Sequence, residues 1–245
     1  GLNELIRFID RKTDIDVAIF SNSIISEKKL SDLINAGMEN YITSIEMIKP
    51  KLRLSGDILK KSNKGLETLM FLKKMNLKSL SANIVVGRHN IKEVPETIDF
   101  LSKMGVYSTL SPIHTGKEGF WEFRSKESEF RLTNKDIRLV EEMSERLLDM
   151  KREGLLISNS YSFLKSWPKH TINLDWNCIN PPVLWVDSDG KMMCCCDIRG
   201  DTSRMSIFDL MNKENHEKLV ESLKEDARKC PGCFYNCQFD GKMFV

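Results

Sequence analysis

Asp16-Val17-Ala18-Ile19-Phe20-Ser21-Asn22-Ser23-Ile24-Ile25-Ser26 is the stretch that decides the fold. Residues 16–20 read as a buried strand that stops at the polar Ser21-Asn22-Ser23. Ser26 then supplies an N-cap for a helix whose Leu30, Leu33 and Ile34 share one face, and Gly37 ends it. Residues 2–12 read as a helix before this unit. After it, residues 41–45 read as a strand, 57–75 as a helix with Leu59, Leu66, Leu69 and Met70 inward, and 81–86 as a strand ending at Gly87. A helix over 94–104 leads through Gly105 into a strand over 106–110, and Pro112 and Gly116 break the order.

Strands of this length alternating with amphipathic helices predict an α/β fold with a parallel sheet and right-handed crossovers, an α/β barrel or part of one. In such folds ligands sit at the C-terminal ends of the strands. The polar residues there are Ser21 and Asn22, Ser44 and Glu46, Arg88 and Asn90, and Ser111 and His114. Taken singly, each is an ordinary turn or cap residue; as a set they mark a candidate ligand site.

Beyond a charge-rich connection, a helix is predicted over 134–153. Thr133-x-x-Asp136 forms its capping box, and Ile137, Val140, Met143 and Leu147 its apolar stripe. Residues 158–176, with Trp167-Pro168, read as irregular and aromatic. Short strands over 183–186 and 191–193 flank Asp187-Ser188-Asp189-Gly190, which suits a tight hairpin turn. Helical spacing begins at residues 207–211 and continues through Leu219, Val220, Leu223 and Ala227.

All seven cysteines lie in this last third: Cys178, the run Cys194-Cys195-Cys196, and Cys230, Cys233 and Cys237. Pro231 and Gly232 end the helix before Cys233 and free the backbone to wrap an ion. A cluster of thiols in an otherwise cysteine-free chain reads as a metal centre. Zinc and iron-sulfur clusters both accept four thiolates, so ligand type leaves both open. Adjacent residues of a strand point to opposite faces, so the three neighbouring cysteines cannot all serve one site.

A disulfide framework is disfavoured, because 245 residues at 41% hydrophobic content can bury a full core. With no leader-like N-terminal pattern, a reducing, cytoplasmic setting is expected. No apolar run reaches the roughly 18–20 residues that span a bilayer. The 37 basic residues nearly balance 35 acidic ones, which leaves no general field for nucleic acid or anionic lipid. Neither is expected as a partner.

Cys178, then Gly190-x4-Cys195, then Cys230-x2-Cys233 resembles the SPASM or shorter twitch auxiliary-cluster domain of radical S-adenosylmethionine (SAM) enzymes. The upstream half agrees. Ser21-Asn22 resembles that family's Thr/Ser-Asn-Gly, Ser44-Ile45-Glu46 its Ser-x-Asp ribose motif, and Asn83-x-Val85-x-Gly87 its glycine motif. The resemblance implies a partial radical SAM (β/α) barrel over residues 1–155, then a small cysteine-rich domain of β-hairpin plus helix over 156–245. It implies SAM as cofactor, with Ser21, Asn22, Ser44, Glu46 and Asn90 lining its pocket and Arg53 pairing its carboxylate. It further implies an auxiliary 4Fe-4S cluster on Cys178, Cys195, Cys230 and Cys233, with Cys194, Cys196 and Cys237 as substitutes.

Such an enzyme, an oxidoreductase or maturase, cleaves SAM reductively. The 5′-deoxyadenosyl radical formed acts on a peptide or small-molecule substrate, with flavodoxin or ferredoxin as electron donor. Four departures stand out. The family's Cys-x3-Cys-x2-Cys is missing, since no cysteine precedes Cys178; Ser23 stands where glycine is usual; and Glu46 replaces Asp. The Gly-Gly-Glu motif is absent as well. The expectation is therefore a fragment lacking two strand-helix units, inactive as it stands, with the second 4Fe-4S cluster present only in the intact parent. The alternatives are a zinc-binding protein, or a degenerate protein that binds SAM or a partner without catalysis.

Overall fold

Ser26 caps the first interior helix as its position demands: its side chain accepts the Lys29 amide at 3.3 Å and opens α2 (Glu27–Ile34). Gly37, at φ +111°, closes that helix while Met38 N donates to Leu33 O. A Cβ at Gly37 would lie 2.6 Å from the Asp10 side chain, so only glycine fits beside α1 (Leu2–Lys12). The computed structural model describes residues 1–48, 56–113, 130–173, 176, 183–193, 195, 205–229, 234 and 236–241. The chain forms two compact units, residues 1–111 with 142–159, and residues 112–141 with 160–245.

In the first unit β1 (Ala18–Ser21), β2 (Asn40–Ser44), β3 (Ser79–Val86) and β4 (Tyr107–Pro112) form one sheet in the order 1-2-3-4. β1 pairs parallel to β2, and β2 parallel to β3. Ile157 continues the parallel pairing beside Ser108 of β4. Helices α3 (Gly56–Lys73) and α4 (Val94–Lys103) connect successive strands. In a sequential parallel sheet, right-handed crossovers place such helices on one face. The fold is α/β with a parallel sheet.

Register shows which face the helices cover. Tyr41 lies beside Leu80 and Thr43 beside Ala82, and all four are buried. Gly65 of α3 sits against this face, because an added Cβ would lie 3.1 Å from Ile45 Cγ1 and 3.4 Å from Thr43 Oγ1. The side chains alternating with these, Ile42 and Ser44 of β2 and Ser81 and Asn83 of β3, point to the opposite face. Ser111 of β4 joins them by donating to Asn83 Oδ1 at 3.1 Å. One face is thus packed under α3, with Tyr41 and Thr43 among its aliphatic side chains, and the other carries short hydroxyl and amide groups.

Two expectations for this unit are corrected. The first strand is not buried: Phe20 is 60% exposed, because β1 ends the strand order and is covered laterally on one side only. Met70 does not point inward and is 59% exposed; Gly65, Thr68, Leu69 and Leu72 form the buried stripe of α3 instead. The Leu59 side chain lies outside the described residues. The capping box at Thr133 forms, with Asp136 Oδ2 accepting from Thr133 N at 2.8 Å. It precedes α5 (Ile137–Arg152), whose Val140, Met143 and Leu147 are buried.

In the second unit, the stretch expected to be irregular is a helix, α6 (Tyr161–Asn173), with Pro168 inside it. Phe163, Leu164, Trp167 and Thr171 recur at helical spacing and are buried, and that burial outweighs the proline. Ser160 caps the helix, accepting the Phe163 amide at 3.0 Å while its hydroxyl donates to Asp240 Oδ1 at 2.6 Å. Asp240 belongs to α8 (Asn236–Gly241). Phe163 stacks on Phe234 at 4.5 Å, and Trp167 and Phe239 meet that pair edge-on.

The expected hairpin also forms: β5 (Trp185–Val186) pairs antiparallel with β6 (Met192–Met193) across a turn in which Asp187 Oδ1 accepts from Asp189 N. A 3₁₀ turn, Ile207–Met211, precedes α7 (Glu214–Lys229). Leu219 and Ala227 of α7 are buried, while Val220 is 48% exposed. Among the described residues no helix is long and apolar enough to cross a membrane.

Candidate ligand site at the strand ends

The turn after β1 is built from its own side chains. Ser21 Oγ accepts the Ser23 amide and Asn22 Oδ1 the Ile24 amide, each at 3.1 Å. These bonds bend the chain so that Ser23, at φ +62°, turns back into the sheet. Its buried hydroxyl lies 2.5 Å from Thr43 Oγ1 and 3.2 Å from the Tyr41 hydroxyl. The left-handed conformation explains why glycine would suit position 23, and the hydroxyl cluster explains how serine is held there.

Asn90 fixes the next two strand ends to each other. Its Nδ2 donates to Glu46 O and Val85 O, and its Oδ1 accepts from Gly87 N, all at 2.9 Å. Both amide hydrogens are used on backbone and the residue is fully buried, so Asn90 shapes the site from behind. Ile45 N donates to Asn83 O and carries the ladder one residue past β2. By alternation Glu46 then follows Ser44 onto the face without helices.

There the Glu46 carboxylate meets an imidazole: His89 Nε2 lies 3.4 Å from Glu46 Oε2. The His89 side chain is 5% exposed and that of Glu46 30%. Ser44 pairs with Asn83 in the register, and Asn83 with Ser111 by hydrogen bond. Ser44, Glu46, Asn83, His89 and Ser111 therefore converge on one end of one face. A carboxylate among short hydroxyl and amide groups suits a ligand rich in hydroxyls, since carboxylate oxygens accept and the others both donate and accept.

Ser44, Glu46 and Ser111 are strand-end residues expected at the site from the sequence, whereas His89 is an addition from the structure. Its place between Arg88 and Asn90, in the same post-strand segment, was the available signal. Arg53 and His114 lie outside the described residues, and Arg88 is exposed.

For the thiols, Cys195 lies two residues beyond the end of β6 and is half-buried. Cys237 stands in the first turn of α8. Cys178, Cys194, Cys196, Cys230 and Cys233 lie outside the described residues. Among the described residues no group of three or more His, Cys, Asp or Glu side chains is placed to hold a metal ion.

No protein-family model matches the chain. Over 106 residues, 42% of its length, it is 26% identical to a probable GTP 3′,8-cyclase of Methanococcus vannielii. The match spans 35% of that protein, so the chain corresponds to about a third of the curated relative. Among solved structures it is similar to hexahistidine-tagged anSMEcpe with bound AdoMet, at a TM-score of 0.48 and 10% identity over 95% of this chain and 79% of that one.

Proposed function

We propose that the chain is part of a radical SAM oxidoreductase or maturase, with a SAM-binding site at the strand ends and an auxiliary 4Fe-4S cluster in the cysteine-rich unit. The observation that carries the reading is the convergence of Ser44, Glu46, Asn83 and Ser111 on the sheet face opposite α3. Glu46 and Ser44 hold the ribose hydroxyls, Asn90 fixes the main chain beneath them, and the Ser21-Asn22-Ser23 turn shapes the neighbouring wall. Arg53 takes the SAM carboxylate, a planar guanidinium being suited to that partner. The likeness to a probable GTP 3′,8-cyclase over 106 residues supports a chain that handles a nucleotide ligand.

Of the implied groups, SAM fits the residues at the strand ends, because its ribose presents a diol to a carboxylate. The thiol-rich second unit fits an auxiliary cluster by donor chemistry, with Cys178, Cys195, Cys230 and Cys233 as ligands and Cys194, Cys196 and Cys237 as substitutes. The SAM-cleaving cluster does not fit these 245 residues, since no cysteine precedes Cys178. What SAM supplies, in a parent protein carrying that cluster, is a 5′-deoxyadenosyl radical able to abstract hydrogen from a peptide or small-molecule substrate. The electron comes from a donor such as flavodoxin or ferredoxin.

Anaerobic reconstitution with iron and sulfide tests the auxiliary site: a brown protein with one 4Fe-4S cluster per chain is expected, and stoichiometric colourless zinc would replace the cluster reading with a zinc site. Calorimetric titration with S-adenosylhomocysteine tests the strand-end site, and binding unchanged by Glu46→Gln would overturn it. With SAM and a strong reductant the reconstituted chain is expected to form no 5′-deoxyadenosine above a protein-free control.

A further inference from the structure

Two buried donors of the second unit stand idle on one face of α6. Trp167 Nε1 and Thr171 Oγ1 lie one helical turn apart, both are shut off from solvent, and neither has a hydrogen-bond partner among the described residues. A buried indole N–H ordinarily finds an acceptor, and a threonine inside a helix can turn its hydroxyl back to the carbonyl four residues earlier. Thr171 does not take that option. The neighbours of Trp167 on this face are aromatic: Phe163 and Phe234 meet its ring edge-on at 5.4 and 6.1 Å, and carbon rings offer no lone pair.

The same face leads to the thiols. Phe234 follows Cys233 in the chain, and it is held by Phe163 in a stack at 4.5 Å, by Trp167 and by His170 at 5.4 Å. Phe239, two residues beyond Cys237 on α8, joins that stack at 5.6 Å from Phe163 and 5.4 Å from Phe234. The helix face with the idle donors therefore anchors the chain just after Cys233 and Cys237. A thiolate or sulfide is anionic and accepts the N–H and O–H bonds that an aromatic wall cannot.

We infer that Trp167 Nε1 and Thr171 Oγ1 donate to sulfur of the metal centre in the cysteine-rich unit and raise its reduction potential. The inference rests on the proposed auxiliary 4Fe-4S cluster and deepens it. One-electron reduction adds negative charge that spreads onto sulfur, so a donor aimed there favours the reduced state over the oxidised one. Because both donors are buried, water does not compete for them.

The test is a potentiometric titration of the anaerobically reconstituted 245-residue chain, with dithionite as electron source and the electron paramagnetic resonance of the reduced cluster as readout. Trp167→Phe keeps an aromatic ring and deletes the N–H; Thr171→Val keeps the shape and deletes the O–H. Each is expected to move the equilibrium at fixed potential about tenfold toward the oxidised form, a lowering of about 59 mV for a one-electron couple. Thr171→Ser, which retains a hydroxyl, is expected to titrate with the unsubstituted chain. A threonine that only fills space would give valine and serine the same potential.

An unsubstituted chain that takes up no iron overturns the cluster reading itself. A cluster that forms and titrates at one potential in the unsubstituted, Trp167→Phe and Thr171→Val proteins overturns the role of the two donors and leaves the cluster reading intact. Should Trp167→Phe fail to fold, the Thr171→Val and Thr171→Ser pair still decides, and equal potentials in those two sink the inference.

Discussion

The Ser23 hydroxyl lies 2.5 Å from Thr43 Oγ1, reached from a backbone at φ +62°. Two costs are set against each other there. A non-glycine residue in the left-handed region costs roughly 1–2 kcal/mol. Stripping a buried hydroxyl of its partner costs about 1–3 kcal/mol. The contact ties the turn after β1 to the middle of the sheet, so the geometry of the strand ends depends on it.

Replacing Ser23 separates the two terms. Ser23→Ala keeps the backbone cost and leaves Thr43 and Tyr41 without that partner, for a loss of about 1–3 kcal/mol. Ser23→Gly loses the same bonds but regains roughly 1 kcal/mol of backbone strain, so it ranks between alanine and the unsubstituted chain. Urea unfolding followed by exchange of the Thr43 amide gives the order. A glycine variant less stable than the alanine variant would mean the serine backbone is unstrained.

Gly65 controls how closely α3 approaches β2. An added Cβ meets Ile45 Cγ1 and the Ser44 carbonyl oxygen, each at 3.1 Å, and backbone cannot swing away. Gly65→Val is expected to lose about 1–3 kcal/mol by overpacking and to weaken S-adenosylhomocysteine binding, because the displaced strand end carries Ser44 and Glu46. Met70→Ala on the exposed side of the same helix is expected to stay within about 0.5 kcal/mol with binding unchanged. Affinity unaltered in Gly65→Val would uncouple the α3 contact from the site.

What was legible in the chain was what local chemistry decides. The Ser26 cap, the Thr133–Asp136 box, the β/α order and the Asp187 turn each depend on residues within a few positions of one another. Less legible was whatever depends on distant neighbours. Phe20 reads as core by its own character, and only the strand order reveals that β1 is an end strand. Leu69 and Met70 are equally apolar, and the small Gly65 and Thr68 select the phase that lets α3 sit close. Trp167-Pro168 reads as a break until Phe163 and Phe234 supply the stack that holds the helix. His89 has meaning only once β2 and β3 bring Glu46 to it.

At the opposite end of the sheet, Lys78 donates to Asp16 at 2.5 Å, both side chains being about half exposed. The hydrogen bond from Lys78, followed by one with Glu39, holds the Asp16 carboxyl below its ordinary range. A depressed carboxylate stabilises the fold above its unfolded value and loses that contribution as pH falls through its lowered folded value. The unsubstituted chain is therefore expected to exceed Asp16→Asn in melting temperature at neutral pH and to converge with it on acidification below about pH 4. The difference is small and shrinks with salt, as for any exposed pair. A gap that persists at pH 2 would show that Asp16 acts through packing.

All four tryptophans, Trp121, Trp167, Trp176 and Trp185, belong to the second unit, so tryptophan emission reports on that unit alone. Its hairpin has strands of two residues each, too short to persist without support. Support for it comes from residues 205–207, where Met192 N donates to Met205 O and Ile207 N to Gly190 O; elsewhere in the unit Asp240 binds both the amide and the hydroxyl of Ser160. On the proposed auxiliary-cluster reading a further source is the cluster, whose binding energy would appear as folding energy if its ligands converge only in the folded state. Removing the metal is expected to lower the tryptophan-detected unfolding transition while leaving exchange protection at Ile84 of β3 unchanged. Asp240→Ala is expected to lower the same transition by about 1–2 kcal/mol with metal present, as loss of a cap does, and further without it. A tryptophan transition indifferent to metal removal would show that the thiols contribute nothing to the fold of this unit.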